Sequence, residues 1–169
     1  MTLTAAPILG LGAKLYIATA QGTPPTIAVG AVTGGTLIGK LTKITPAKPK
    51  FATEDITTLD SPGTTRTFMK TLIEPGEWTL EGQYESGDAG QTLLAAAFNS
   101  APIAVAGQAF PFLHVLPIDF MGGQLVIGDQ DAFNALVTDY AKDDDEVAKT
   151  ITFKATLKVT GPTVTTLGT

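Results

Sequence analysis

Glu77-Trp78-Thr79-Leu80-Glu81-Gly82-Gln83-Tyr84-Glu85 alternates without a break. Glu77, Thr79, Glu81, Gln83 and Glu85 fall on one side, and Trp78, Leu80, Gly82 and Tyr84 on the other. Successive side chains of a strand point to opposite faces, so this stretch reads as a half-buried antiparallel strand with one wet face. Ile151–Thr160 repeats the pattern: Ile151, Phe153, Ala155, Leu157 and Val159 for the core, Thr152, Lys154, Thr156, Lys158 and Thr160 for water. Two such segments make an amphipathic sheet the foundation of the fold.

The neighbouring stretches extend that reading. Lys14–Ala20 predicts a short strand, Gly22–Pro25 is turn material, and Thr26–Ile44 holds β-branched residues broken by glycines, enough for two strands. Further strands are expected at 103–106, 110–116, 123–128 and 133–140. Residues 89–98 (AGQTLLAAAF) form the one helix candidate, with Asp88 as N-cap and Asn99-Ser100 as its end. Residues 45–66 differ: they are polar, carry both signs of charge and hold Pro46, Pro49 and Pro62, with Phe51, Ile56 and Leu59 as their only large apolar residues. So long a connection inside a compact domain is functional or disordered, and this composition is not that of a flexible Gly/Ser linker. The acidic run Asp143–Glu146 predicts a solvated loop, and the Thr-rich tail after Gly161 is expected to be loose in the free chain. The expected fold is mainly β, a sandwich or barrel with one flanking helix, in a single domain spanning 1–169.

At 169 residues the chain is long enough for one domain with a real core. Charged residues make up 16% of it, under the roughly 25% usual for soluble domains, which points to a surface partly covered by partners. The net charge of −5 is unevenly spread: residues 1–70 hold seven basic and three acidic side chains, residues 71–169 four and thirteen. Clustering by chance explains this, and so does head-to-tail association of unlike faces. No basic, apolar leader opens the chain, and no run nears the roughly 18 apolar residues of a membrane span, so a soluble protein made in the cytosol is expected.

The residues that carry chemistry are sparse. There is no cysteine, which removes disulfides, thiolate metal sites and a Cys nucleophile. His114 is the single histidine, set among apolar strand residues, so neither a triad nor a zinc site can be built around a second one. Asp143-Asp144-Asp145-Glu146 lacks the alternate spacing and the glycine of an EF-hand loop. Glu77 and Glu81, four apart on a strand, stand about 13 Å apart, too far for a retaining glycosidase pair. No phosphate-cradling glycine motif and no basic, aromatic-laced patch is present. The expectation is a protein that is not an enzyme and uses no cofactor or metal.

Asp55-Ile56-Thr57-Thr58-Leu59-Asp60-Ser61-Pro62-Gly63, then Arg66 and Phe68, then Glu74-Pro75-Gly76-Glu77-Trp78-Thr79-Leu80-Glu81-Gly82, then Asp88-Ala89-Gly90-Gln91 occur in that order. The combination resembles the major tail tube protein of long, non-contractile bacteriophage tails, lambda-like siphophages in particular. Thr156–Pro162 is similar to that family's last strand. The resemblance covers 40–100 well and 130–162 loosely; the first 36 residues match nothing in it. It implies a small β-sandwich with a flanking helix, made in the host cytoplasm and assembled into the virion tail. Hexameric rings would close an inner β-barrel and stack into a tube that delivers DNA. The partners implied are copies of the chain itself, the tape measure, terminator and tip proteins, and DNA passing without specific binding; no membrane is involved.

On that reading residues 1–13 are an N-terminal arm, 45–72 a loop reaching the next ring, and 161–169 a C-terminal tail. The inter-ring and subunit contacts would fall to Lys48, Lys50, Asp55, Thr58, Asp60, Ser61, Pro62, Gly63, Arg66, Phe68 and Lys70. Glu77, Glu81 and Glu85 are the candidates for the lumen wall. Carboxylates there repel phosphate, and their spacing exceeds a Debye length of about 8 Å, so one row is tolerable. Rival readings are another virion structural protein (tail terminator, head decoration, contractile-tail tube) or a carbohydrate-binding β-sandwich. The last needs an exposed aromatic platform, and Trp78 falls on the apolar side of its strand.

Overall fold

The computed structural model describes residues 12–18, 25–28, 31–57, 66–100, 109–116, 120–121, 124–125, 128–143 and 150–167. The strands are β1 (Lys14–Ala18), β2 (Thr26–Ala28), β3 (Ala31–Thr33), β4 (Gly35–Leu37), β5 (Leu41–Thr45), β6 (Lys50–Asp55), β7 (Phe68–Glu74) and β8 (Glu77–Gln83). The helix α1 (Ala89–Asn99) follows, then β9 (Phe110–Val115), β10 (Phe120–Met121), β11 (Gln124–Leu125), β12 (Gln130–Asp143), β13 (Thr152–Val159) and β14 (Val164–Thr166). The expected strand at 103–106 lies outside the described residues, as do 1–11 of the N-terminal arm and Asp144–Glu146 of the acidic run.

The main sheet is antiparallel throughout, in the order β4-β1-β9-β12-β13-β8-β5, with β14 also on β12. Its two ends are the same piece of chain. β4 and β5 are separated only by Ile38, Gly39 and Lys40, yet β4 pairs β1 and β5 pairs β8. Ile38 N donates to Leu15 O at 2.9 Å on one side of this corner, and Gln83 N donates to Lys40 O at 2.9 Å on the other. The sheet therefore closes on itself. At the far side the 14-residue β12 plays the matching part. Its first half pairs β9 and β14, its second half from Ala135 onward pairs β13, and the register with β13 slips between Val137 and Asp139.

One core fills the space between the two halves. Leu15, Ile17 and Phe112 from the β1–β9 half meet Trp78, Leu80, Phe153, Ala155 and Leu157 from the β8–β13 half. The aromatic side chains join them: Trp78 stacks on Phe133 at 4.6 Å, Phe133 on Phe112 at 5.6 Å, and Trp78 meets His114 edge-on at 5.1 Å. Each such contact contributes about 0.5–1.5 kcal/mol beyond its buried area. The alternation read from β8 and β13 holds, Trp78, Leu80, Phe153, Ala155, Leu157 and Val159 all being buried. Ile151 departs from it: its carbonyl takes the Tyr84 N–H, but its side chain lies exposed at the end of the sheet.

The helix starts where expected and ties the corner down. The Asp88 side chain accepts from Gln91 N at 2.7 Å and from Gly39 N at 3.4 Å. Gly90 packs directly on the corner, where a Cβ would run into the Leu37 carbonyl and the Ile38 backbone. Gln91 is 1% exposed, and its carboxamide is fully used. Oε1 accepts from Glu85 N at 3.1 Å, while Nε2 donates to Gly39 O at 3.1 Å and Gln83 O at 3.0 Å. Lys40, the one non-glycine with positive φ among the described residues (58°), completes the bend.

Three sequence expectations change here. Residues 26–44 hold four short strands, not two; Gly34 (φ 75°) separates β3 from β4, and the 38–40 corner separates β4 from β5. Where the sequence suggests a long loop over 45–72, the described residues Lys50–Asp55 (β6) and Phe68–Glu74 (β7) pair as an antiparallel hairpin separate from the main sheet. The tail after Gly161 supplies β14, held by Thr165 Oγ1 donating to Asp131 Oδ1 at 2.7 Å.

Two outcomes follow from the core and its knot. Gln91→Ala removes the side-chain partner of Glu85 N, Gly39 O and Gln83 O at a part-buried site, where each such hydrogen bond contributes about 0.5–1.5 kcal/mol; urea unfolding is expected to show a loss of roughly 1–3 kcal/mol with the midpoint moved down. His114 is 4% exposed with Nδ1 3.5 Å from Asp131 Oδ2, and burial lowers its pKa below the usual 6.5, only partly offset by Asp131. The unfolded chain thus binds this proton at a higher pH than the folded one, so the contribution to stability is full above the unfolded pKa near 6.5 and lost as pH falls below it. Unfolding midpoints measured between pH 8 and 5 should decline in acid, and His114→Gln should flatten that decline.

Candidate assembly surfaces

Two surfaces stand apart from the rest: the β6–β7 hairpin and the face of β5, β8, β13 and β12 that turns away from the core. The hairpin's register pairs Lys50 with Glu74, Phe51 with Ile73, Thr53 with Lys70, Glu54 with Met69 and Asp55 with Phe68, with a slip between Phe51 and Thr53. Every residue of both strands is exposed. Phe51, Ile56, Phe68, Met69, Leu72 and Ile73 account for half of the exposed large hydrophobic residues in the described chain, Leu72 being 81% exposed. Exposed apolar surface gathered in this way makes the hairpin a candidate contact surface.

The root of the hairpin is stiff. Pro46, Pro49 and Pro75 flank it, and Gly76 adopts φ 86° against the Lys48 backbone, where a Cβ would sit 3.1 Å from Lys48 N and O. Gly76 O also accepts from Val159 N at 3.2 Å, fastening the root to β13. This is the physical content of the Pro75-Gly76-Glu77 step. A cleft of about 860 Å³ opens beside it, lined by Lys48, Lys50, Leu72, Glu74, Glu77 and Lys158 among others.

Of the interface residues expected from sequence, the hairpin brings together Lys50, Asp55, Arg66, Phe68 and Lys70, with Lys48 at its root. Thr58, Asp60, Ser61, Pro62 and Gly63 lie outside the described residues. The cations are not equally free. Arg66 reaches Asp55 at 3.8 Å, and Lys70 sits 5.0 Å over the Phe51 ring, whereas Lys48 and Lys50 make no ion pair among the described residues. Asp55 also accepts from the Thr57 hydroxyl and backbone N–H, which hold its carboxyl below the usual range. Sequence reasoning missed Leu72, Met69 and Ile73 as surface residues. The signal was Phe68–Ile73, an apolar-rich run with no buried counterpart.

On the second face Glu77 and Glu81 project away from the core as read, but Glu85 lies past the end of β8, 3.9 Å from Lys40. Nor do the glutamates stand alone. In register across the strands, Lys43, Glu81 and Lys154 form one row, Thr45, Thr79, Thr156 and Asp139 the next, and Glu77 and Lys158 a third. Lys43 Nζ lies 3.7 Å from Glu81 Oε1 and Lys154 Nζ 3.8 Å from Asp143 Oδ2. Among the described residues no three His, Cys, Asp or Glu side chains gather for a metal ion, and no helix is long and apolar enough to cross a membrane.

No family model and no curated protein matches the chain. Solved structures do. A chain of the anti-feeding prophage baseplate superposes with TM-score 0.65 at 6% identity, covering 96% of this chain and 97% of that one. A chain of an extracellular contractile injection system, the PVC sheath–tube complex in its extended state, gives 0.64 at 12% identity over 95% and 92%. The SPP1 tail tube gives 0.59 at 14% identity over 95% and 80%. The chain therefore has a tail-tube-like β fold.

Gly76→Ala tests the root geometry. Positive φ and the Lys48 contact both oppose the added methyl, so the variant should unfold at lower urea by roughly 1–3 kcal/mol, with hydrogen exchange quickened in 46–55 and 68–76.

Proposed function

We propose that this chain is a structural subunit that assembles with copies of itself into stacked rings, forming the tube of a phage tail or tail-like particle. The observation that carries the reading is the hairpin: an exposed, apolar, rigidly launched element on a tail-tube-like fold, with no use for that surface in the lone chain. In a stack it docks on the neighbouring ring through Phe51, Phe68, Met69, Leu72 and Ile73, with Lys48 and Lys50 seeking carboxylates. Its prolines reduce the entropy lost on docking. The face bearing Glu77 and Glu81 lines the lumen, hexameric rings close it into a barrel, and DNA passes along it. Tape measure, terminator and tip proteins are the further partners, and the particle is the virion of a long-tailed phage.

A second reading is favoured by the similarity to the injection-system chains, which superpose at least as well as the SPP1 tail tube. On it the tube belongs to a contractile particle and the outer wall carries a sheath.

Negative-stain microscopy of the concentrated protein checks the shared core of both readings. Hollow tubes or rings of constant width are expected; monomers at every concentration, with or without a purified tip complex as template, would sink it. Leu72→Glu alters a largely exposed site, so monomer stability should stay within about 0.5 kcal/mol of the parent while tube growth is lost.

A further inference from the structure

The wet face of the four strands β5, β8, β13 and β12 carries Lys43 on β5 and Lys154 and Lys158 on β13. Cations so placed would grip a nucleic-acid backbone, because each phosphate neutralised releases condensed counterions. Yet each lysine is met by a carboxylate. Glu81 lies 3.7 Å from Lys43 and stands opposite Lys154 in the register; Asp143 lies 3.8 Å from Lys154; Glu77 stands opposite Lys158. With Asp139 in the threonine row, the face holds three lysines against four carboxylates. Exposed ion pairs of this kind add little to stability, typically about 0.2–1 kcal/mol, so folding does not require them. A pair this tight acts as a local dipole when viewed from beyond a Debye length of about 8 Å.

We infer that Glu81 and Asp143 are masks: they occupy Lys43 and Lys154 so that the inner face of the tube does not hold the nucleic-acid backbone passing over it. This rests on the reading of that face as the lumen and goes beyond it, since it assigns the carboxylates to particular lysines in place of a general negative wall. The lysines keep the four-strand face hydrated and soluble in the free subunit, and the carboxylates cancel their affinity for phosphate.

The test uses tubes assembled in the presence of a short fluorescent DNA duplex and then treated with nuclease. Parent tubes should retain no protected duplex. Glu81→Gln with Asp143→Asn should retain it, about tenfold or more above the parent at low salt and falling steeply as salt rises. Adding Lys43→Gln and Lys154→Gln to that double variant restores the parent net charge and should abolish retention. Anisotropy with the unassembled subunits, where the face is open to solvent, repeats the comparison without needing assembly. Retention by parent tubes, or no gain in the double variant by either measurement, overturns the inference. The lumen reading has its own readout: the chain has no cysteine, so Thr79→Cys is a unique label site. In tubes it should react with a small maleimide at their open ends but not with a large polyethylene-glycol maleimide. Full reaction with the large reagent would place the face outside and remove both readings, whereas shielding of Thr79→Cys with no gain in retention removes only the masking.

Discussion

The carboxamide of Gln91 is the fixed point of this fold. It binds the backbone of the 38–40 corner, the end of β8 and the turn before the helix at once. That corner is where the two ends of the sheet become one segment. Without it β4 and β5 would be separate edges, and edges invite uncontrolled pairing. With Asp88 capping the helix and Gly90 letting it approach, the closure is made by three polar or small positions, Asp88, Gly90 and Gln91, within the first turn of the helix. A buried amide with every hydrogen bond made favours one arrangement strongly, since any other leaves donors and acceptors stranded.

Much of this was legible in the residues. The alternation in Glu77–Glu85 and Ile151–Thr160 predicted two half-buried strands and their buried faces, and Asp88 predicted the helix start. These are local signals: period-two patterning and a cap act within a few residues. The closure was not legible, because the pairing of β4 with β1 and of β5 with β8 depends on partners far along the chain. Residues 45–72 misled for a different reason. Alternation betrays a strand only when one face is buried, and the hairpin strands bury neither face within this chain. The Asp88-Gly90-Gln91 and Pro75-Gly76 steps were visible as motifs, but what each one touches came only from the folded geometry.

The body and the hairpin divide the work of the molecule. The body has an aromatic core, a closed sheet and a helix that locks it, so it is complete as a single chain. The hairpin has apolar side chains and no core. It is projected by prolines and by a glycine pressed against Lys48, and is fastened to β13 by one backbone bond at its root. Such a division separates the stability of the body from the chemistry of the hairpin surface, so that surface changes on the hairpin leave the body intact.

The corner at 38–40 has one more consequence. Because a single run of eleven residues, 35–45, serves the first sheet half with its beginning and the second with its end, the two halves share one phase. Removing or adding a residue within that run would turn the side chains of β4 or β5 over to the wrong face, and the helix contacts at Gly39 would not permit the bend to absorb the slip. The segment works as an alignment key between two sheets. Its length is under a constraint that no single side chain in it reveals.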